Sequence, residues 1–165
     1  MCKPMTAEAG VFEVTLESTL KTVERAEELA HRVCECAGFD EDDQNKIEMA
    51  VHESVINAVA HGNKHDQRKK VHLRFEIFKD RLEIRIRDEG AGFDPVRVAD
   101  PLANENLLKV SGRGIFLIRA FMDDFRVDSM RGLGTEVTMV KRINPETKSS
   151  EGGTDCEHEG HNTPN

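Results

Sequence analysis

The chain predicts a single mixed α/β domain, and three observations carry that expectation. Helical stripes and alternating strand patterns succeed one another from Val11 to Arg142. The 165 residues are 38% hydrophobic and 33% charged, enough for one well-solvated domain with a real core. From Asn144 the composition turns polar and rich in Gly, Ser and Thr, too poor in apolar surface to offset ordering entropy. The expected organisation is therefore an N-terminal extension over residues 1–10, a folded domain over 11–143 and a disordered acidic tail over 144–165.

VFEVTL (Val11 to Leu16) reads as a short strand. Ser18 is placed to cap a helix whose apolar stripe is Leu20, Val23, Ala26, Ala30, Val33 and Ala37, with Gly38 ending it. Asp40 can cap a second helix carrying Ile47, Val51, Val55, Ala58 and Val59. That helix is expected to end at His61-Gly62-Asn63, where Gly and Asn suit left-handed backbone. After the charged loop KHDQRKK, VHLRFEIF and RLEIRIRD alternate apolar with polar residues and are joined by Lys79-Asp80, the pattern of a hairpin with one buried face. Pro95 to Ser111 lacks periodicity and reads as a long loop of the kind that often forms a lid. GRGIFLIRAFMD predicts a helix starting on glycines, with Ile115, Ile118 and Met122 in the core. FRVDSM and TEVTMVK predict two further strands joined by the turn RGLG.

Charge and cysteine usage narrow the function. The net charge is -8, and half of it lies in the tail, where five acids face one lysine. This argues against direct nucleic-acid binding or attachment to an anionic membrane, both of which need excess Lys and Arg. No apolar run approaches the roughly 20 residues that span a bilayer, and MCKPMTAEAG lacks the regions of a signal peptide. A cytoplasmic protein is expected. Cys2, Cys34, Cys36 and Cys156 form no disulfide framework and read as reduced thiols; Cys156, His158 and His161 read as solvated tail residues.

Four constellations can carry chemistry. Glu53 and Asn57 are four residues apart and share a helix face; a carboxylate can accept a proton from an attacking hydroxyl or water, and an amide oxygen can ligate Mg²⁺. DEGAGFD places Asp88 at a strand end, able to accept from an exocyclic amine, with Gly90 and Gly92 letting backbone and ligand come close. SGRGIFLIR puts Gly112 and Gly114 around Arg113 at a helix start, where free N–H groups and the dipole favour an anion and Lys109 and Arg113 add positive charge. RGLGTEV brings Thr135 to the start of the last strand. Each alone has an ordinary explanation: a solvated face with a C-cap, a turn, a hinge, a strand threonine. The two familiar phosphate loops, G-x-x-x-x-G-K-[ST] and G-x-G-x-x-G opening a helix, are absent from the sequence.

In order, E-x-x-x-N on a helix, D-x-G-x-G-F after a hairpin, G-x-G at a helix start and G-T on a last strand resemble the ATP-binding domain of the GHKL superfamily. HESVINAVAHGN and NLLKVSGRGIFLIRAFMDD look very much like the anti-sigma factor serine kinases within it. The resemblance covers about Val11 to Arg142. It implies a Bergerat-type fold, an α+β two-layer sandwich with a mixed, mostly antiparallel sheet and helices on one face, holding ATP between helices and lid. By position Glu53 matches the catalytic base, Asn57 the Mg²⁺ ligand and Asp88 the adenine-recognising acid. Gly90 and Gly92 match the first glycine box, Gly112 and Gly114 the second, and Thr135 the threonine that helps hold the base. His61 and Asn63 lie in the H-G-N stretch without an assigned role.

The function implied is an ATP- and Mg²⁺-dependent serine/threonine protein kinase that phosphorylates an anti-anti-sigma antagonist of the STAS type, sequesters a sigma factor and forms a homodimer. Two alternatives differ in class. One is an ATP-gated binding module that moves no phosphate; Glu53 at helical spacing from Asn57 favours catalysis over it. The other is a stand-alone histidine-kinase ATPase domain, disfavoured because His52 sits inside the ATP-site helix and no dimerising helical hairpin precedes it.

Overall fold

The structure, a computed structural model, describes residues 10–92 and 113–145, apart from the side chains of Arg113 and Met130. The expected Pro95–Ser111 loop, Lys109, Gly112 and all but the first two residues of the tail lie outside the described residues. The described chain runs β1 (Gly10–Glu17), α1 (Leu20–Ala37), α2 (Glu41–Ile56), a π-helix (Asn57–Gly62), β2 (Lys70–Ile77), β3 (Arg81–Asp88), α3 (Arg113–Phe121), β4 (Asp124–Met130) and β5 (Gly134–Arg142).

The strands form one sheet in the order β1-β2-β3-β5-β4, and every described pairing is antiparallel. Strict alternation buries Val71, Leu73 and Phe75 of β2 and Leu82, Ile84 and Ile86 of β3 against the helices. They meet Ile47, Val51, Val55 and Ala58 from α2 and the π-helix, and Val23, Ala26, Ala30 and Val33 from α1. Each large side chain so buried contributes about 1.5–3 kcal/mol. The opposite face is open and charged, with ion pairs such as Arg74–Glu76 (3.1 Å) and Arg85–Glu83 (2.5 Å); pairs this exposed add little stability. Cys34 lies fully buried in α1, and burial pushes its thiol up to about 12, so it stays an unreactive thiol.

One antiparallel register and one buried lysine decide where a site can form. Arg87 of β3 faces Glu136 of β5, so Asp88 arrives beside Thr135 at the same end of the sheet. On the helix side, Lys141 fixes the layer from beneath: its buried ammonium donates to the carbonyl of Phe121 (3.0 Å) and pairs with Asp43 of α2 (3.2 Å). The first turn of α2 and the last turn of α3 are thus tied to one point on β5.

Four local expectations change in the structure. Ser18 does not cap α1; the N-cap is Thr19, and Ser18 Oγ turns inward to donate to the carbonyl of Lys69 (2.7 Å). Leu20 leaves the apolar stripe: it is the first residue of α1 and is 70% exposed. Asp40 caps α2 as expected, accepting from the Asp43 N–H at 2.8 Å. The turn after α2 is not left-handed at Gly62 or Asn63. The helix widens into π geometry instead, and the left-handed residues are Lys64 (φ 51°) and His65 (φ 58°). The expected mixed, mostly antiparallel sheet is antiparallel throughout its described strands.

Asn63 is fully buried and links three elements. Its amide nitrogen donates to Ser18 Oγ (2.7 Å) and to the carbonyl of Lys70 (2.9 Å), and its oxygen accepts from the Glu89 N–H (2.8 Å). The end of β1, the start of β2 and the residue after Asp88 are therefore locked together by one side chain. Asn63→Ala should lower the free energy of unfolding by about 1–3 kcal/mol, since it removes a buried amide and leaves two partly buried backbone groups without their partner. Urea denaturation of the purified variant measures this; a loss below about 0.5 kcal/mol, the range of an ordinary surface substitution, would show that the network is dispensable.

Candidate functional site

A cavity of about 310 Å³ opens between the helix layer and the Asp88 end of the sheet. Its polar lining includes Asn57, His61, Lys64, Asp88 and Thr135, and its apolar wall includes Ile86, Ile115 and Val137. Mostly apolar walls with a few converging polar groups are the ordinary make-up of a small-molecule site. Ile118 fills the core as expected but also borders the cavity, and Ile115 is a wall residue rather than a core residue.

Asp88 is the most constrained group in it. The residue is only 5% exposed. Its Oδ1 accepts from the Gly90 N–H (2.8 Å) and the Thr135 N–H (3.2 Å). Three glycines surround it. A Cβ on Gly62 would lie 2.8 Å from Oδ1 and nearer still to Oδ2, one on Gly90 2.9 Å from Oδ1, and one on Gly134 3.2 Å from Oδ1. All are tighter than ordinary carbon contacts of about 3.5–4.0 Å. Gly134 also has φ 87°, which only glycine adopts without strain. Burial raises the Asp88 pKa, and the hydrogen bonds from Gly90 and Thr135 oppose that rise. Oδ1 is occupied by backbone donors, Oδ2 takes no hydrogen bond among the described residues, and Asp88 lines the cavity.

This assigns Gly90 a packing role: the space a side chain would fill holds the Gly62 carbonyl and the Asp88 carboxylate. Gly92 does border the cavity, with φ 64°. Thr135 acts through both backbone and hydroxyl, its Oγ1 lying 2.9 Å from Ser129 Oγ. The Gly132 N–H donates to the Ala91 carbonyl at 2.5 Å, so the β4–β5 turn holds the segment after Asp88 in place.

Glu53 and Asn57 occupy the other side. Glu53 lies on α2, and a Cβ on Gly114 would come within 2.5 Å of its Oε2. The carboxylate therefore rests against the first turn of α3, whose N–H groups and dipole attract anions. Asn57 begins the π-helix and lines the cavity. Wider π turns recur at functional sites because they re-aim side chains. The structure thus gathers Asn57, Asp88, Gly92 and Thr135 around one cavity, with Glu53 and Gly114 in contact at its side. Arg113 opens α3, while Lys109 and Gly112 fall outside the described residues.

Sequence reasoning does not find Gly62 and Gly134 as neighbours of Asp88, or Lys64 as a cavity residue. Gly62 and Gly134 carry no side-chain signal, and they reach Asp88 only through the tertiary fold. Lys64 sits in a charged loop where any of several cations has equal claim.

Comparison with known proteins places these features in context. Residues 16–141 match the model of the histidine kinase-like ATPase domain. The serine-protein kinase RsbW of Bacillus subtilis is 34% identical over 115 residues, covering 66% of this chain and 71% of that protein. Serine-protein kinase RsbW of Staphylococcus epidermidis is 37% identical over 123 residues, 70% of this chain and 76% of that protein. The anti-sigma F factor of Clostridium beijerinckii is 36% identical over 105 residues, 62% and 73% respectively. Among solved structures, the RsbU and RsbW domains of a Mycobacterium tuberculosis protein superpose with a TM-score of 0.60 at 19% identity. That match covers 81% of this chain and 32% of the longer chain, and it shows agreement in fold.

The environment of Asp88 has a consequence for stability. A carboxyl whose folded pKa lies above its unfolded value contributes stability only while protonated, and that contribution is lost as pH rises through the folded pKa. Asp88→Asn keeps an acceptor for Gly90 and Thr135 and removes the buried charge. It should therefore be at least as stable as wild type near neutral pH, and its advantage should shrink as pH falls into the carboxylate range. Urea denaturation at both pH values tests this; an advantage that grows on acidification would contradict it.

Proposed function

The chain belongs to the histidine kinase-like ATPase domain family, and from that premise we propose that it is a serine/threonine protein kinase that uses ATP and regulates transcription by partner switching. Its relatives named serine-protein kinase and anti-sigma F factor support this reading. On it, the acceptor is a serine or threonine of an anti-anti-sigma protein of the STAS type, and the second partner is a sigma factor. The protein acts as a homodimer in the cytoplasm; no described helix is long and apolar enough to cross a membrane.

The observation that carries the proposal is a carboxylate, Glu53, resting on the first turn of α3 beside the cavity that Asp88 closes at its other end. The adenine amine donates to Asp88 Oδ2, while the apolar wall takes the purine faces. The phosphate chain then runs toward Asn57 and the N-terminus of α3, whose N–H groups take up negative charge. Glu53 accepts the proton of the acceptor hydroxyl as its oxygen bonds to the γ-phosphorus. The bond from that phosphorus to the bridging oxygen breaks, and ADP leaves with that oxygen. Most of the work is positioning and charge stabilisation.

Mg²⁺ fits this site in a specific way. No group of three or more His, Cys, Asp or Glu residues among those described can hold a metal. Mg²⁺ favours oxygen, keeps several waters and needs few protein ligands when phosphates supply the rest. Asn57 Oδ1 is the protein oxygen suited to it, and a bound Mg²⁺ supplies charge neutralisation between the phosphates.

The test is phosphate transfer from labelled ATP to the cognate antagonist. Glu53→Ala should slow transfer by about 10²–10⁴-fold while nucleotide binding persists. Asn57→Ala should lose the Mg²⁺-dependent part of nucleotide affinity. Wild-type transfer by Glu53→Ala would disprove the role of that residue. Tight ATP binding by the wild-type protein with no transfer to any partner would instead point to a nucleotide-gated binding module.

A further inference from the structure

Lys64 stands out in the cavity lining for its backbone, its lack of a partner and its position. It and His65 are the two non-glycine residues with positive φ among those described, at 51° and 58°. Left-handed backbone disfavours a long side chain such as lysine, and Asn, Asp or Gly is the usual occupant. The conformation is held from both sides: the His65 N–H donates to the Val59 carbonyl (2.9 Å) and the Asp66 N–H to the Asn63 carbonyl (3.0 Å). The chain therefore leaves the π-helix by a fixed route that delivers residue 64 to the cavity.

Among the described residues its side chain pairs with no carboxylate. Of the cations that follow it, Arg68 pairs with Asp66 (2.9 Å) and Lys70 with Glu17 (3.4 Å), and Lys69 does not line the cavity. Among the described residues Lys64 makes no ion pair and no side-chain hydrogen bond, and it is the lysine that borders the cavity. The acid in that lining is Asp88, and no ion pair joins it to Lys64. An exposed lysine at the border of an apolar-walled cavity, uncommitted among the described residues, is suited to a ligand that brings negative charge.

Position selects which part of that ligand it meets. Gly62, two residues earlier, packs on the Asp88 carboxylate, whereas Glu53 and Gly114 lie on the far side of Asn57. Lys64 is thus placed nearer the nucleoside than the transferred group. We propose that Lys64 is a binding residue for the phosphates that ATP and ADP share, next to the ribose, rather than for the γ-phosphate. This rests on the cavity being the adenine-nucleotide site. Lys64 then holds substrate and product nucleotide alike, and the left-handed backbone is what aims it.

Calorimetric titration of wild type, Lys64→Asn and Lys64→Arg with ATP, ADP and adenosine tests the proposal. Asparagine tolerates the left-handed backbone, so the variant loses the cation without losing the turn; an unchanged melting temperature verifies this. Lys64→Asn should weaken ATP and ADP by a similar factor, about fivefold to tenfold, the size of one partly screened charged contact. Adenosine should bind as it does to wild type, Lys64→Arg should restore most of the loss, and the salt dependence of ATP binding should flatten in the asparagine variant. Unchanged ATP and ADP affinity, or an equal loss for adenosine, would overturn the role of Lys64 while leaving the nucleotide site standing. A wild-type protein that binds neither ATP nor ADP would overturn the site itself and Lys64 with it.

Discussion

A carboxylate is buried at the end of β3 with no room for a methyl group on three sides of it. Asp88 can be there only because residues 62, 90 and 134 have no Cβ, and because two backbone N–H groups meet its Oδ1. Each condition comes from a different part of the chain: the π-helix, the segment after β3 and the start of β5. The helix layer cannot shift relative to the sheet at this point without driving backbone into the carboxylate. One buried acid therefore fixes the distance between the layers, and the same residue lines the cavity. Burial raises the pKa of this carboxyl despite its two backbone donors, so retaining it is better explained by ligand recognition than by stability.

The rest of the structure holds that geometry from behind. Asn63 joins the end of β1, the start of β2 and the residue after Asp88 by three hydrogen bonds. Lys141 ties α2 and α3 to β5 at the opposite end, so that Gly114 stays against Glu53. The π-helix between these anchors begins at Asn57 and is followed by the left-handed residues Lys64 and His65. The catalytic carboxylate, the metal-binding amide and the adenine-reading acid of the proposed mechanism are thus placed by buried polar contacts rather than by the apolar core alone.

Much of this is legible in the residues alone. Alternation in VHLRFEIF and RLEIRIRD specifies the hairpin and its buried face, because a one-face burial leaves a period of two in the residues themselves. Asp40 and Gly38 mark helix ends because capping is local chemistry. The same locality explains the misses. Ser18 has the right chemistry for a cap, but a buried amide 45 residues away competes for its hydroxyl. Gly62 and Gly134 look like turn glycines, and their contact with Asp88 exists only after β3, β5 and the helix layer assemble. A π turn has no compositional signature, so the shift of left-handed backbone from Gly62-Asn63 to Lys64-His65 cannot be read from residue types. Glu53 and Asn57 are visible by spacing; that Glu53 faces Gly114 depends on how α3 packs.

The central claim is that this cavity holds ATP with adenine at Asp88 and phosphates at the start of α3. A crystal structure with Mg²⁺ and a non-hydrolysable ATP analogue tests it most directly. The exocyclic amine of adenine should lie within hydrogen-bond distance of Asp88 Oδ2 and the γ-phosphate beside Glu53 at the first turn of α3. A nucleotide bound elsewhere, or one lying with its phosphates toward Asp88, would contradict it.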